Sequence, residues 1–179
     1  MDQEKSQVLN QLVDGSLPPG RAIGLDAGRT AALLQTGHTL FQEGRLAEAR
    51  SLFAGLAVLD PGNAYVHGML GSICQREGNA EAAIAHFTRC LELAPDDPQA
   101  WVNRGEIHLR AGRLEKAAAD LAEAGRRDPS GRHPAVIRAR VLTLLTQGAL
   151  KTCVDKGVES VRQAQRQLLT QLNALQEKP

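Results

Sequence analysis

Three prolines set the frame of this 179-residue chain: Pro61, Pro95 and Pro129 stand 34 residues apart. A period of that length is the mark of one supersecondary unit repeated in tandem, and it narrows the choice of fold before any single residue is weighed. With blocks drawn as 30–63, 64–97 and 98–131, other positions fall into step. Glycine recurs at block position 8 (Gly37, Gly71, Gly105) and at position 15 (Gly44, Gly78, Gly112). Alanine recurs at position 20 (Ala49, Ala83, Ala117). Position 24 is Phe53, Phe87 and Leu121, and position 27 is Leu56, Cys90 and Ala124. Each block reads as two helices of roughly three to four turns. The small residues at positions 8 and 20 let the two helices approach. The position-15 glycines can take the left-handed conformation that ends the first helix. The prolines stop the second helix, or sit just past its end. "LAVLDPGN", "LELAPDDP" and "GRRDPSG" are therefore punctuation between units.

This pattern resembles the tetratricopeptide repeat, in three copies that cover 102 of the 179 residues. The resemblance implies an all-α fold: three tandem helix-turn-helix repeats forming a right-handed α-solenoid, with an N-terminal helix and C-terminal capping helices. The expected division is 1–29 for the N-terminal helix and linker, 30–131 for the repeats, and 132–179 for the C-terminal helices. A helix pair cannot bury its own apolar face, so the ends of such an array need covers.

The flanks supply candidates for those covers. In "HPAVIRARVLTLLTQG", Pro134 reads as a helix start, and Ile137, Val141, Leu144 and Leu145 form a stripe expected to cover the third repeat. Gly148 is expected to end that helix. Over 150–177, Val154, Val158, Val161, Gln165, Leu168, Leu172 and Leu175 follow a heptad seam. That segment packs back, self-associates or frays. Near the N-terminus, Val8, Leu9, Leu12 and Val13 lie on one side of a short helix, followed by the Gly15–Gly20 linker with Pro18-Pro19. Three readings stay open for it: a cap on the first repeat, a dimer contact or a mobile arm. A weak homodimer through a terminal helix is expected.

Composition bounds the function. The net charge is +1, and the basic surplus is confined to 132–179, with eight basic and three acidic side chains. A solvated helix face explains that surplus better than a nucleic-acid or membrane patch. The three cysteines make an odd number without a CxxC pair, which fits a reducing compartment. The polar start "MDQEKSQVLN" does not read as a signal peptide, and no apolar run approaches a membrane span. The expected location is the cytoplasm.

Catalytic chemistry is not signalled. No GxSxG, phosphate loop or HExxH occurs. His38, His67, His86, His108 and His133 form no HxxH or HxxxH pair, and the repeat scatters them, so no metal site is expected. Cys74 and Cys90 fall at apolar positions 11 and 27 and read as small buried hydrophobes. A non-enzyme without cofactor is expected.

Binding is expected on the concave face, where tetratricopeptide arrays project positions 2, 5, 6, 9, 12 and 13 of each first helix. These are Ala31, Leu34, Gln35, His38, Phe41 and Gln42 in the first block. The second gives Tyr65, Gly68, Met69, Ser72, Gln75 and Arg76, and the third Gln99, Val102, Asn103, Glu106, Leu109 and Arg110. An extended peptide needs apolar pockets together with amides or cations for its main chain. The candidate contacts are Leu34, His38, Phe41, Tyr65, Met69, Gln75, Gln99, Asn103, Glu106 and Arg110. Tyr65 and Met69 stand between groove and packing roles. Repeats that clamp the C-terminal carboxylate of heat-shock chaperones carry Lys, Asn, Asn, Lys and Arg where this chain has Leu34, His38, Met69, Gln99 and Asn103. That clamp is excluded.

"GRLAEARSLFAGLAVLDPGN", "GMLGSICQREGNAEAAIAHF" and "LRAGRLEKAAADLAEA" resemble, in order, the three repeats of the class II chaperones of bacterial type III secretion. The resemblance implies a groove that receives an extended, proline-flanked segment of a translocator along Leu34, Phe41, Tyr65, Met69 and their neighbours. This groove is poorer in Tyr and Phe than the family's. The alternative is a general scaffold or adaptor subunit of a protein assembly.

Overall fold

The computed structural model describes residues 3–156 and residues 166, 167 and 170. Among these the fold is all-α, with no strand. The elements are α1 (Gln3–Val13), α2 (Pro19–Ala22), α3 (Ala27–Gln42), α4 (Leu46–Leu59), α5 (Ala64–Arg76), α6 (Ala80–Leu93), α7 (Pro98–Arg110), α8 (Leu114–Arg127) and α9 (Pro134–Lys156). The pairs α3–α4, α5–α6 and α7–α8 are the helix pairs that the period predicts.

The punctuation is built from the backbone. After α3, α5 and α7, Gly44, Gly78 and Gly112 adopt φ of 76°, 78° and 72°. The next residue then donates its N–H back to a helix carbonyl: Arg45 to Leu40 (2.9 Å), Asn79 to Cys74 (2.9 Å) and Arg113 to His108 (2.8 Å). These bonds satisfy carbonyls that a helix end leaves orphaned. After α4, α6 and α8, the residue before each proline is pushed out of the helical region. Asp60, Ala94 and Asp128 sit at φ/ψ of −141°/76°, −137°/78° and −132°/82°. Helix starts are capped by Asp26, Asn63, Asn79 and Asp97, whose side chains accept backbone N–H bonds of the first turn.

The chain divides into two compact units, Met1–Pro95 and Asp96–Pro179. In the first, Ala49, Phe53, Leu56, Val66, Leu70 and Ile73 form a core shared by α4 and α5, with Leu33, Leu34 and Phe41 packed against it from α3. Position 8 meets position 24 within each pair. A methyl at Gly37 would lie 2.8 Å from the Phe53 ring, and one at Gly71 2.9 Å from the Phe87 ring. The linker folds onto this unit through α2, which packs on α4. Gly20 is buried there, and a Cβ on it would sit 3.0 Å from the Leu59 carbonyl oxygen.

In the second unit, α9 lies on α7 and α8. Its buried face differs from the one expected. Ala135, Val136, Ala139 and Leu142 are buried, whereas Ile137, Val141 and Leu144 are exposed; Leu145 alone of the expected stripe packs on the core. Two apolar stripes compete on this helix, and the one with alanines wins because small residues let α9 approach closely. Thr146 is also buried, its hydroxyl donating to the Leu142 carbonyl (2.7 Å). Gly148 does not end the helix, which runs on to Lys156. An interior glycine costs only about 1 kcal/mol relative to alanine and stops a helix only when it turns left-handed. The side chains of the heptad seam, Val154 to Leu175, and of Cys153 lie outside the described residues. Val13, on the apolar side of α1, is exposed. No helix among the described residues is long and apolar enough to cross a membrane.

Candidate functional site

The predicted contacts fall in two sets, one in each unit. In the first unit α3 and α5 run side by side. His38 and Tyr65 join them through a hydrogen bond between Nδ1 and the hydroxyl (3.1 Å). Tyr65 is 45% exposed, and its ring stands edge-on to Phe53 at 6.3 Å. Partial burial pushes its hydroxyl pKa up, so it stays a neutral donor or acceptor. Arg76 lies 3.9 Å over the Phe41 ring and donates to the Phe41 carbonyl (2.9 Å), which satisfies one of the last carbonyls of α3. Leu34, Phe41 and Gln75 are half-buried. Met69 is 8% exposed and belongs to the core. The α3 residues Leu33, Leu34, Leu40 and Phe41 pack against the core to which it belongs.

A pocket of about 570 Å³ opens beside Leu34. Leu17, Pro18, Leu25, Ala31, Leu34 and Leu59 wall it, with Arg21 and Asp60 also on its lining. It exists because the linker lies across the end of α4 and the start of α3. The repeat register places Ala31 and Leu34 on this face, whereas Gly15–Gly20 reads only as a linker. Gly20, the close-approach residue in the linker, was the available signal.

The set in the second unit is largely closed on itself. Gln99 Nε2 donates to Asn103 Oδ1 (2.7 Å), and Arg138 Nη2 from α9 donates to the same oxygen (2.7 Å). Arg138 Nε pairs with Glu106 Oε1 at 2.9 Å, and Glu106 is 4% exposed. Val102 and Leu109, expected in the groove, are fully buried in the core that α9 completes. Gln99 and Asn103, half-buried, and Glu106, buried, are thus engaged within the unit. The reason is Arg138, which reaches the same face from a helix the repeat pattern does not describe. Arg110 remains in the stripe, its Nε and Nη2 buried and without an acceptor among the described residues.

Two further clusters stand apart from these sets. Arg104 grips Asp120 with Nε and Nη2 (2.9 and 2.8 Å), and His108 Nε2 is 4.0 Å from the same carboxylate. His67 and His86, expected to be scattered, stack with ring centroids 5.9 Å apart. They were missed because they sit on different helices of one pair, 19 residues apart in sequence. Among the described residues no group of three or more His, Cys, Asp or Glu is placed to hold a metal ion. Cys74 and Cys90 are buried, and burial pushes the Cys74 thiol pKa up, away from the reactive thiolate.

Residues 69–132 match the tetratricopeptide repeat family model. A DnaJ homolog subfamily C member 3 from Rattus norvegicus is 32% identical over 97 residues, which cover 54% of this chain and 19% of that protein. The chain thus spans about a fifth of the length of the curated relatives it first matches. Among solved structures, the type III secretion translocator chaperone SycD of Yersinia enterocolitica aligns with a TM-score of 0.66 at 19% identity, covering 70% of this chain and 96% of that one. PcrH of Pseudomonas aeruginosa, solved with the chaperone binding region of PopD, aligns with a TM-score of 0.65 at 22% identity, covering 70% and 96%. The tetratricopeptide architecture read from the 34-residue period is therefore found in the family model and in the fold alike. At these identities the solved structures speak for the fold alone.

Proposed function

We propose that this chain is a non-enzymatic peptide-binding module, a cytoplasmic secretion chaperone that holds an extended segment of a translocator. The observation that carries the reading is the apolar pocket beside Leu34. Its volume of about 570 Å³ lies within the range of ligand pockets, roughly 300–1,000 Å³. That is room for a large apolar side chain and part of the backbone beside it. Tyr65 and His38 supply hydroxyl and imidazole groups on the neighbouring surface for the main chain of the same peptide. PcrH, which shares the fold, was solved with a segment of PopD bound.

Co-expression with the N-terminal segment of a translocator encoded nearby tests the reading. The segment is expected to co-purify with the wild-type chain. It is expected to be lost with Ala31→Arg, which fills the pocket from an exposed position, and weakened by Tyr65→Ala. Helix content by circular dichroism checks that both variants fold. Failure of the wild-type chain to co-purify, or equal binding by Ala31→Arg, sinks the proposal. A scaffold subunit is the second reading. It is favoured by the sequence identity to a DnaJ homologue, which exceeds that to SycD and PcrH.

A further inference from the structure

We propose that Arg110 forms a carboxylate-binding site at the end of α7, which takes an acidic side chain of the bound partner. The occupant's source rests on the peptide-binding reading above; the site itself rests on the chemistry of the second unit.

An arginine offers a planar fork of donors, and the Nε/Nη2 edge matches the two oxygens of a carboxylate. This unit shows that edge in use: Arg104 holds Asp120 through the same two nitrogens, at 2.9 and 2.8 Å. On Arg110 the corresponding nitrogens are both buried, yet neither finds an acceptor among the described residues. A buried charged donor without a partner is costly, so the site gains when a carboxylate arrives.

The neighbouring acids cannot meet that need. Glu106 lies one turn earlier on the same face but is drawn to Arg138 of α9 at 2.9 Å. Asp120 is held by Arg104. Gln99, Asn103 and Glu106, the other polar groups of this stripe, are engaged with one another and with Arg138. Arg110 itself is only partly covered, which leaves a carboxylate a route to that edge. The site is distinct from the carboxylate clamp excluded on sequence, whose arginine would stand where Asn103 is.

The test titrates the full chain with N-acetylglutamate amide and, separately, with N-acetylglutamine amide at matched ionic strength. Backbone amide signals of Leu109, Ala111 and Gly112 report binding. The glutamate compound is expected to shift them and the glutamine compound to leave them in place. Arg110→Met is expected to abolish the response, and Arg110→Lys, which keeps the charge but not the fork, to weaken it severalfold. Arg110→Met should also leave the urea midpoint unchanged or raised, since it removes an unpartnered buried charge. Equal response to both compounds, no response to glutamate, a full response in Arg110→Met, or a large fall of its midpoint would each overturn the proposal. Loss of translocator binding with the glutamate response intact would instead strike only the peptide-binding reading.

Discussion

The contact between position 8 and position 24 makes a quantitative prediction about four glycines. Alanine in a helix interior recovers about 0.5–1 kcal/mol relative to glycine. At Gly55, within α4, nothing lies within 4 Å of the added methyl, so Gly55→Ala should stabilise by about that amount. At Gly37 the methyl would meet Cε2 and Cζ of Phe53 at 2.8 Å, and at Gly71 Cδ1 and Cε1 of Phe87 at 2.9 Å. Both rings are essentially fully buried, so they cannot swing aside into solvent. Overpacking of this kind costs about 1–3 kcal/mol. The propensity gain is common to all the substitutions and cancels between them. Gly37→Ala and Gly71→Ala should therefore lie about 1–3 kcal/mol below Gly55→Ala. Gly105→Ala should fall between, because its methyl would meet Leu121 and Asp120 side-chain atoms only at 3.2–3.3 Å. Equilibrium urea unfolding followed by far-ultraviolet circular dichroism gives the order. A Phe53→Leu background should soften Gly37→Ala, since the two groups share one space. If Gly37→Ala raises the midpoint as much as Gly55→Ala, the ring contact does not set the helix spacing and the argument fails.

Two further outcomes test the corrected features. Leu142 is 1% exposed and Leu144 70%, so Leu142→Ala should cost about 2–5 kcal/mol, and Leu144→Ala no more than about 0.5 kcal/mol, by the same unfolding assay; equal losses would restore the stripe expected from sequence. Stability should also fall on acidification from about pH 6.5. Burial holds the His86 and His108 pKa values below 6.5; the His67 charge pushes His86 further the same way, while Asp120 partly opposes the shift of His108. Between their folded values and 6.5 the unfolded chain binds more protons, so the folded state loses ground as pH falls through that window and the contribution is flat above it. The urea midpoint against pH measures this, and His86→Leu should flatten the slope; a midpoint that holds or rises below pH 6.5 refutes it.

The 34-residue period made most of the fold legible because each marker acts locally. Gly44, Gly78 and Gly112 close their helices through bonds within six residues, and the prolines act on the residue before them. What stayed hidden depends on which surfaces meet. Met69 has the same helical register whether it faces a partner or a core. Ile137, Val141 and Leu144 are more apolar than Ala135 and Ala139, so hydrophobicity alone selects the wrong face of α9. Arg138 contributes to the α7 stripe from outside the repeat pattern, and no spacing rule within the blocks could supply it.

The same repeat position therefore has different meanings in the two units. Leu34 and Val102 both occupy position 5 of a first helix. Beside Leu34 the linker crosses from α2 to α3 and leaves an apolar pocket. Val102 is sealed in a core to which α9 contributes Ala135, Ala139 and Leu142. Register alone would give both residues the same role; the flanking segment decides whether the position is a socket or a seal. On the proposed reading, the linker and α9, rather than the repeat consensus, set what the chain receives. Exchanging Leu17 or Leu25 should alter partner selection more than exchanging the consensus residues Ala83 or Ala117, whose loss would unfold the array before it changed its preference.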